Sequence, residues 1–142
     1  MKILVDTNVF LDIFLERDSS DPELFLKNCV IRNNQIYVTS QTLRDIEYSA
    51  RKFFHEKKKA KEIQSAVYNI CSKVIGISAD AAIESLYSDV DDYEDSLQVE
   101  AAKEAMLDCI VTSNKKDYQK SYFPVFTPKE INDIWANQKT SQ

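Results

Sequence analysis

The chain has 142 residues and a formal net charge of −5, and it contains one glycine, one histidine and three cysteines. This length suits one domain with a single core. One glycine excludes glycine-rich phosphate loops, and the single histidine, His55, argues against histidine-based catalysis. The cysteines are scattered and include no CxxC pair, so neither a disulfide framework nor a zinc site is indicated. Any chemistry must therefore depend on carboxylates.

The apolar pattern and the charge restrict location and partners. No apolar run approaches the length of a signal-peptide core or of a membrane span, so we expect a soluble, cytoplasmic protein with no membrane partner. The negative charge argues against a protein that coats DNA non-specifically. It does not exclude a nucleic-acid enzyme, because divalent cations bound to an acid cluster would offset most of the excess charge.

Short apolar runs alternate along the chain with longer segments of helical periodicity. Strands are predicted at 3–5, 36–38, 74–75 and 109–111, with a weaker edge candidate at 125–126. Helices are predicted near 8–17, 22–32, 40–55, 57–72, 79–88, 93–106 and 128–137. The alternation favours a small three-layer α/β sandwich in which a mainly parallel central sheet is flanked by helices. We expect one domain over residues 1–137 and a frayed tail over residues 138–142.

Two acids follow predicted strands. Asp6 ends the apolar run that opens ILVDTNVF, and Asp117 closes the loop after strand 109–111. Parallel sheets bind ligands beyond the carboxyl ends of their strands, because crossover connections bring loops and helix starts to that edge. Either acid could instead cap a helix or a turn, which is a frequent role of aspartate. Position alone does not decide between a cap and a ligand.

In the helix predicted over 40–55, helical spacing assigns each acid to a face. Glu47 lies at the edge of the apolar stripe, whereas Asp45 falls on the opposite, solvent side. A carboxylate on an apolar face is costly unless it is paired, protonated or bound to a cation. Arg44 and Arg51 are possible partners of Glu47, but both lie further round toward solvent. This geometry favours a metal-binding role for Glu47.

The stretch DDYEDSLQ adds acids at the start of the helix predicted over 93–106. Asp92 as the N-cap and Glu94 in the first turn are explained by their favourable interaction with the helix dipole. Asp95 is not explained in this way, because helical spacing puts it on one face with Val99. Lys103 is a possible partner, but it lies well round the helix from Asp95. A metal-binding role is therefore favoured for Asp95 as well.

Convergence of Asp6, Glu47, Asp95 and Asp117 at one sheet edge would carry a large electrostatic cost. Two carboxylates about 4 Å apart repel by about 4 kcal/mol at an effective dielectric of about 20. Several such pairs would rival the stability of a whole domain, which is roughly 5–15 kcal/mol. The site would therefore need protons or cations, and oxygen ligands without histidine or cysteine favour Mg²⁺ or Mn²⁺.

Four motifs in order resemble those of the PIN domain family, in the branch close to VapC-type toxins. They are ILVDTNVF, TLRDIEYSARK, DDYEDSLQVEAA and DCIVTSNKKDY, the last followed by FPVFTPKEI. The resemblance covers residues 1–135, nearly the whole chain. It implies a PIN-like fold and a Mg²⁺- or Mn²⁺-dependent endoribonuclease, in which a metal-activated water hydrolyses RNA phosphodiesters.

The resemblance also assigns roles to individual residues. The catalytic metal ligands would be Asp6, Glu47, Asp95 and Asp117, with Asp92 as an accessory acid. The supporting polar positions would be Asn8, Thr112 and Asn114. No acid is missing, so nothing in the sequence indicates a dead enzyme. Substrate binding needs positive charge near the acids to contact phosphates, and the candidates are Lys115, Lys116, Arg44 and Arg51.

Toxins of this branch pair with a small antitoxin and commonly form homodimers through their early helices, so both partners are expected here by resemblance. The apolar residues that such a dimer would use are equally expected in an ordinary core. They are Phe10, Ile13, Phe14, Leu24 and Phe25.

Three other functions stay open at this point. A catalytically silent RNA-binding or antitoxin-bound PIN module would keep the metal and cleave nothing. A Mg²⁺-dependent phosphatase of the haloacid-dehalogenase type would need a second acid two residues after Asp6, where this chain has Asn8. A purely structural protein would leave Glu47 and Asp95 on apolar faces without an explanation.

Overall fold

A computed structural model describes residues 1–140, and of residues 139 and 140 only the backbone. The strands in this range are β1 (Lys2–Val5), β2 (Gln35–Thr39), β3 (Lys73–Ile75), β4 (Cys109–Val111) and β5 (Val125–Phe126). The α-helices are α1 (Thr7–Phe14), α2 (Ser20–Ile31), α3 (Ser40–Phe54), α4 (Lys57–Ile70), α5 (Ala79–Leu86), α6 (Tyr93–Glu104) and α7 (Pro128–Thr140). A 3₁₀ helix, Lys115–Tyr118, lies between β4 and β5.

The strands form one parallel sheet in the order β3-β2-β1-β4-β5. β1 is the central strand, with Leu4 opposite Tyr37 of β2 and Ile110 of β4. The chain adds β2 and β3 on one side of β1, and β4 and β5 on the other. Where the direction of strand addition reverses in a parallel sheet, the loops at the carboxyl ends leave a crevice. Asp6, the residue after β1, lies at this crevice.

Helices cover both faces of the sheet. Alternate residues of β1 point to opposite faces, so Ile3 and Val5 pack in one apolar cluster and Leu4 packs in another. The larger cluster includes Phe25 of α2, and the smaller one includes Val99 of α6. Strands that are apolar along their whole length are typical of a parallel sheet buried on both sides. The predicted three-layer α/β sandwich is confirmed.

Polar residues at the carboxyl edge of the sheet begin three of the helices around the crevice. Asp6 caps α1, Thr39 caps α3 and Asp92 caps α6, each by accepting a hydrogen bond from a nearby backbone amide. Asp6 and Asp92 therefore do act as helix caps. A cap uses only part of a carboxylate's capacity to accept hydrogen bonds, so it leaves room for a second role.

The predicted strands and helices all occur in the predicted order, but the C-terminal boundary differs. Helix α7 continues to Thr140, whereas we predicted an end at residue 137 and a frayed tail from residue 138. Arg32 accounts for the longer helix, because its guanidinium donates hydrogen bonds to the Trp135 carbonyl at 2.8 Å and to the Gln138 side chain at 3.3 Å. Residues 141 and 142, also part of the predicted tail, lie outside the described residues. Within residues 1–140, no helix has the length and apolar character needed to cross a membrane.

Helix α2 is joined to α7 by Phe25, whose ring is fully buried and stacks on Trp135 at a centroid distance of 6.0 Å. Phe25→Ala should lower the free energy of unfolding by about 3–5 kcal/mol, because it leaves a cavity that the surrounding core cannot fill. The neighbouring Leu24 is 47% exposed, so Leu24→Ala should cost under about 1 kcal/mol. Urea unfolding of both variants measures the difference, and equal losses would contradict this packing of α2.

Candidate functional site

The crevice at the carboxyl edge of the sheet opens into a cleft of about 270 Å³. Six carboxylates line it: Asp6, Asp45, Asp92, Glu94, Asp95 and Asp117. The other lining residues are Thr7, Asn8, Leu11, Gln41, Thr42, Gln98 and Asn114. The fold therefore gathers acids from α3, from α6, from the end of β1 and from the loop after β4, which are far apart in the sequence.

Asp6 is the buried member of this group, with 8% of its surface exposed. Its Oδ2 accepts hydrogen bonds from the hydroxyl of Thr112 at 2.9 Å and from the hydroxyl of Tyr118 at 3.1 Å. Its Oδ1 accepts a hydrogen bond from the Thr7 amide at 2.8 Å and a longer one, at 3.4 Å, from the side-chain amide of Gln98. Donors on both oxygens stabilise the ionised carboxylate.

Gln98 ties α6 to the start of α3 behind the cleft. Its Oε1 accepts a hydrogen bond from the Thr39 hydroxyl at 2.8 Å, and its side-chain amide donates to Thr42 Oγ1 at 3.4 Å. We predicted neither Gln98 nor Tyr118 as a site residue. Gln98 lies one turn after Asp95, so helical spacing could have identified it, whereas no pattern in the sequence indicates Tyr118.

The loop after β4 is fastened to the start of α1. Asn8 Oδ1 accepts a hydrogen bond from the Ser113 amide at 3.1 Å, and Thr112 Oγ1 accepts one from the Asn114 amide at 3.1 Å. Thr112 also donates to Asp6. The three predicted polar positions therefore lie together at the edge of the cleft, where they hold the loop and orient the buried carboxylate.

One of the predicted acids is not part of the cleft. Glu47 is absent from its lining and forms an ion pair with Arg51, one turn along α3, at 3.3 Å. Asp45, which we predicted to face solvent, lines the cleft and has 30% of its side chain exposed. Helical spacing misassigned these two residues because the polar face of α3 does not border bulk solvent at this point. It borders the cleft between α3 and α6.

Burial raises the pKa of two carboxylates in the cleft, and neighbouring charges add to the rise at one of them. Burial, and then the charges of Asp6, Asp92 and Asp117, raise the pKa of Asp95 to about 7, while a hydrogen bond from Tyr118 lowers it. Burial also raises the pKa of Asp6, against the lowering effect of its hydrogen bonds. In the metal-free cleft, Asp95 is therefore only partly ionised at neutral pH.

Asp45 and Tyr118 lie in the same negative field. Burial raises the pKa of the Asp45 carboxyl, Arg44 opposes the rise, and the charge of Asp6 adds to it. Burial and the charges of Asp6 and Asp95 raise the pKa of the Tyr118 phenol above its ordinary value. The hydroxyl of Tyr118 therefore keeps its proton and acts as a hydrogen-bond donor to the acids.

The two arginines predicted to contact RNA already have acidic partners on α3. Arg44 forms an ion pair with Asp45 at 3.1 Å, and Arg51 forms the ion pair with Glu47 described above. Neither guanidinium lines the cleft. An incoming phosphate would have to compete with a carboxylate for each guanidinium. This competition makes Arg44 and Arg51 poorer candidates for RNA contacts than unpaired cations.

The two predicted lysines lie on the 3₁₀ helix beside Asp117. Lys115 forms an ion pair with Glu130 of α7 at 2.9 Å. Lys115 and Lys116 both line a neighbouring cavity of about 470 Å³ and are absent from the lining of the acidic cleft. Tyr118 lines this second cavity as well, and its hydroxyl donates a hydrogen bond to Asp6, which lines the acidic cleft.

Sequence comparison identifies the family to which this arrangement belongs. A family model of the PIN domain matches residues 2–116, a segment that includes β1 and the helices carrying Asp45 and Asp95. The chain belongs to the PIN domain family. Members of this family are generally nucleases. No curated protein matches the chain.

Solved structures with the same PIN fold come from toxin–antitoxin systems. VapBC2 from Rickettsia felis, bound to a DNA fragment from its promoter, has a TM-score of 0.73 at 16% identity over 89% of this chain and 98% of that one. A toxin–antitoxin complex from Klebsiella pneumoniae has a TM-score of 0.65 at 21% identity over 89% and 97%. DNA-bound VapBC from Salmonella typhimurium has a TM-score of 0.69 at 16% identity over 90% and 98%. At these identities the likeness establishes the fold.

PIN domains typically use divalent metal ions, and the cleft fits such an ion by its donor type. It offers carboxylate and amide oxygens and is lined by no histidine or cysteine. These are the donors that Mg²⁺ and Mn²⁺ prefer. In the part of the chain that the structure describes, no three His, Cys, Asp or Glu side chains form a preassembled metal cage. Mg²⁺ needs no such cage, because it keeps several waters and is held by one or two carboxylates.

The raised pKa of Asp95 predicts how the metal-free protein responds to pH. The folded pKa of about 7 exceeds the ordinary aspartate value of 3.8, so the contribution of Asp95 to stability is complete below about pH 4 and is lost as the pH rises to about 7. Asp95→Asn removes this loss. In EDTA at pH 8 the variant should be more stable than the parent by about 1–2 kcal/mol, after discounting for solvent at the cleft mouth.

Melting curves of the parent and of Asp95→Asn at pH 8 and pH 4.5 test this, since the advantage should shrink at the lower pH. Glu84→Gln, at an exposed carboxylate on α5, is the matched control and should not alter the pH dependence. If Asp95→Asn gave no pH-dependent stabilisation relative to this control, the acids of the cleft would not repel each other as described.

Proposed function

We propose that this protein is a metal-dependent endoribonuclease that hydrolyses RNA phosphodiesters at the acidic cleft. The proposal rests on the group of six carboxylates around the cleft, where burial and then the charges of Asp6, Asp92 and Asp117 raise the pKa of Asp95. Such a group is unfavourable without cations and is well suited to binding them. Membership of the PIN family, whose members are generally nucleases, supports the same conclusion.

The residues proposed to hold the metal are Asp6, Asp45, Asp95 and Asp117, with Asp92 as an accessory acid. Asp45 replaces the predicted Glu47 because it lines the cleft, whereas Glu47 is paired with Arg51. When bound, Mg²⁺ or Mn²⁺ would supply the charge that activates a water and offsets the negative charge on the reacting phosphate.

The chain's own contribution is to position these oxygens. Thr112 and Tyr118 donate to Oδ2 of Asp6, and the Thr7 amide donates to its Oδ1, so the rotation of the carboxylate is fixed. Gln98 holds α6, which carries Asp95, against α3. Orientation of this kind before the substrate arrives is what makes a site effective in electrostatic catalysis.

A small antitoxin is the proposed protein partner, because the structural neighbours include VapBC and other toxin–antitoxin complexes. A homodimer is proposed on family resemblance. The early-helix contacts predicted for it need revision, since Phe10 and Phe25 are fully buried, Ile13 and Phe14 are half-buried, and only Leu24 of these five is exposed. On α2, Val30 and Ile31 are also exposed and could join Leu24 in such a contact.

Cleavage of a mixed-sequence single-stranded RNA, in Mn²⁺, Mg²⁺ or EDTA, tests the function. The parent should cleave only with metal. Asp45→Asn should lower the rate by roughly 100-fold or more, because it removes a charged metal ligand. Glu47→Gln is the matched control on the same helix and should retain activity within about 3-fold, since it removes only the ion pair with Arg51 outside the cleft.

Melting curves of the two variants check that both fold. Loss of activity in Glu47→Gln with full activity in Asp45→Asn would restore the sequence-based assignment and contradict the geometry. Metal binding by the parent without cleavage of any RNA would favour a binding-only PIN module.

A further inference from the structure

A line of side chains on α3 leads out of the cleft. It consists of Gln41, Asp45, Tyr48 and Lys52, which we call the α3 stripe. Spacings of four, three and four residues put these side chains on one face of the helix. Gln41 and Asp45 line the cleft, and Tyr48 and Lys52 are exposed beyond it. At 1.5 Å per residue, Tyr48 lies about 4–5 Å and Lys52 about 10 Å from Asp45 along the helix axis.

Tyr48 presents an unoccupied aromatic surface. Its side chain is 53% exposed, and among the described residues it forms no hydrogen bond, ring contact or cation–π contact. By contrast, the exposed Tyr93 near the cleft donates its hydroxyl to the Ala82 carbonyl at 3.2 Å. Exposed aromatic rings beside a phosphate-processing site are suited to stack on bases, which every nucleotide offers.

Lys52 belongs to the part of the chain where positive charge is left unpaired. None of the five lysines between residues 52 and 61 forms an ion pair with any acid that the structure describes. Arg44 and Arg51, on other faces of α3, both have carboxylate partners. Lys52 lies on the α3 face that continues from the cleft, whereas the other four lysines are on α4. In a chain with net charge −5, an unpaired cation at this position complements a polyanion whose scissile phosphate lies at the acids and whose flanking phosphates run along α3.

We propose, on the basis of the nuclease function above, that the α3 stripe binds the single-stranded nucleic acid that flanks the scissile phosphate. Tyr48 stacks on a base next to the cleft, and Lys52 contacts the phosphate backbone one step further out. Stacking on Tyr48 requires a base that is not already stacked in a duplex, so the stripe selects single strands over double strands.

Binding of a fluorescein-labelled single-stranded RNA 12-mer, measured by anisotropy with Mg²⁺, tests the stripe. The Asp95→Asn background is used throughout, so binding is measured without cleavage. Tyr48→Ala should weaken binding by about 5–30-fold, the usual effect of losing one stacked base. Tyr48→Phe keeps the aromatic ring and should bind the RNA as tightly as the Asp95→Asn protein without a change at Tyr48. Lys52→Gln should weaken binding and reduce the salt dependence of log K by about 0.7.

The matched controls are Tyr68→Ala and Lys73→Gln. Tyr68 is exposed near the end of α4, and Lys73 begins β3. Both therefore lie toward the amino ends of the parallel strands, whereas the cleft lies at their carboxyl ends. Both variants should leave binding unchanged. A single-stranded DNA of the same sequence should show the same dependence on Tyr48, and an RNA duplex should bind weakly and show none.

Equal affinities for Tyr48→Ala and Tyr68→Ala would overturn the proposal, as would a loss in Tyr48→Phe equal to that in Tyr48→Ala. Tight binding of the duplex with no effect of Tyr48→Ala would also overturn it. If Tyr48-dependent binding were found but the unmutated protein cleaved no RNA, the proposed binding role of the α3 stripe would be supported and the proposed nuclease function would be contradicted. If the unmutated protein cleaved RNA and Tyr48→Ala bound and cleaved it normally, only the proposed binding role of the α3 stripe would be contradicted.

Discussion

Asp6 carries an ionisable group at the centre of the sheet's carboxyl edge, where burial disfavours its charged form and raises its pKa. Two hydroxyls and two amides donate to its oxygens and offset part of that cost. These donors come from separate elements of the fold that surround Asp6. Thr112 comes from the end of β4, Tyr118 from the 3₁₀ helix, and Gln98 from α6. Together these donors hold the Asp6 carboxylate in place and stabilise its negative charge without a bound cation.

The parallel sheet makes this arrangement possible. β1 is flanked by β2 and β4, so residues separated by more than 100 positions in the chain reach the same edge. The same polar residues that terminate strands also begin helices, since Asp6, Thr39 and Asp92 each cap the helix that follows. Capping and site assembly therefore use the same side chains. This sharing explains why the position of Asp6 in the sequence could not by itself separate a structural role from a functional one.

Of the acids proposed from strand ends, helical spacing and family resemblance, Asp6, Asp95 and Asp117 line the cleft. Periodicity predicted the sheet and the helices, because apolar strands and helix faces record burial directly. It failed on α3. Helical spacing placed Glu47 at the edge of the apolar stripe, and Glu47 is indeed half-buried. The degree of burial, however, does not show which part of the structure a side chain faces. The polar side of α3 faces a cleft, so Asp45 lies in the site and Glu47 in an ordinary ion pair. Tyr118 could not be predicted, because its role depends on how the 3₁₀ helix folds back under Asp6.

We propose that the cleft around Asp6 is a divalent cation site in which Asp45, and not Glu47, takes part. Crystals grown with Mn²⁺ and measured at a wavelength where manganese scatters anomalously test it most directly. We expect an anomalous peak inside the cleft with carboxylate oxygens of Asp45 and of at least one of Asp6, Asp95 and Asp117 within about 2.0–2.3 Å, and with waters completing the shell. A peak bound by Glu47, or an empty cleft at saturating Mn²⁺, would contradict it.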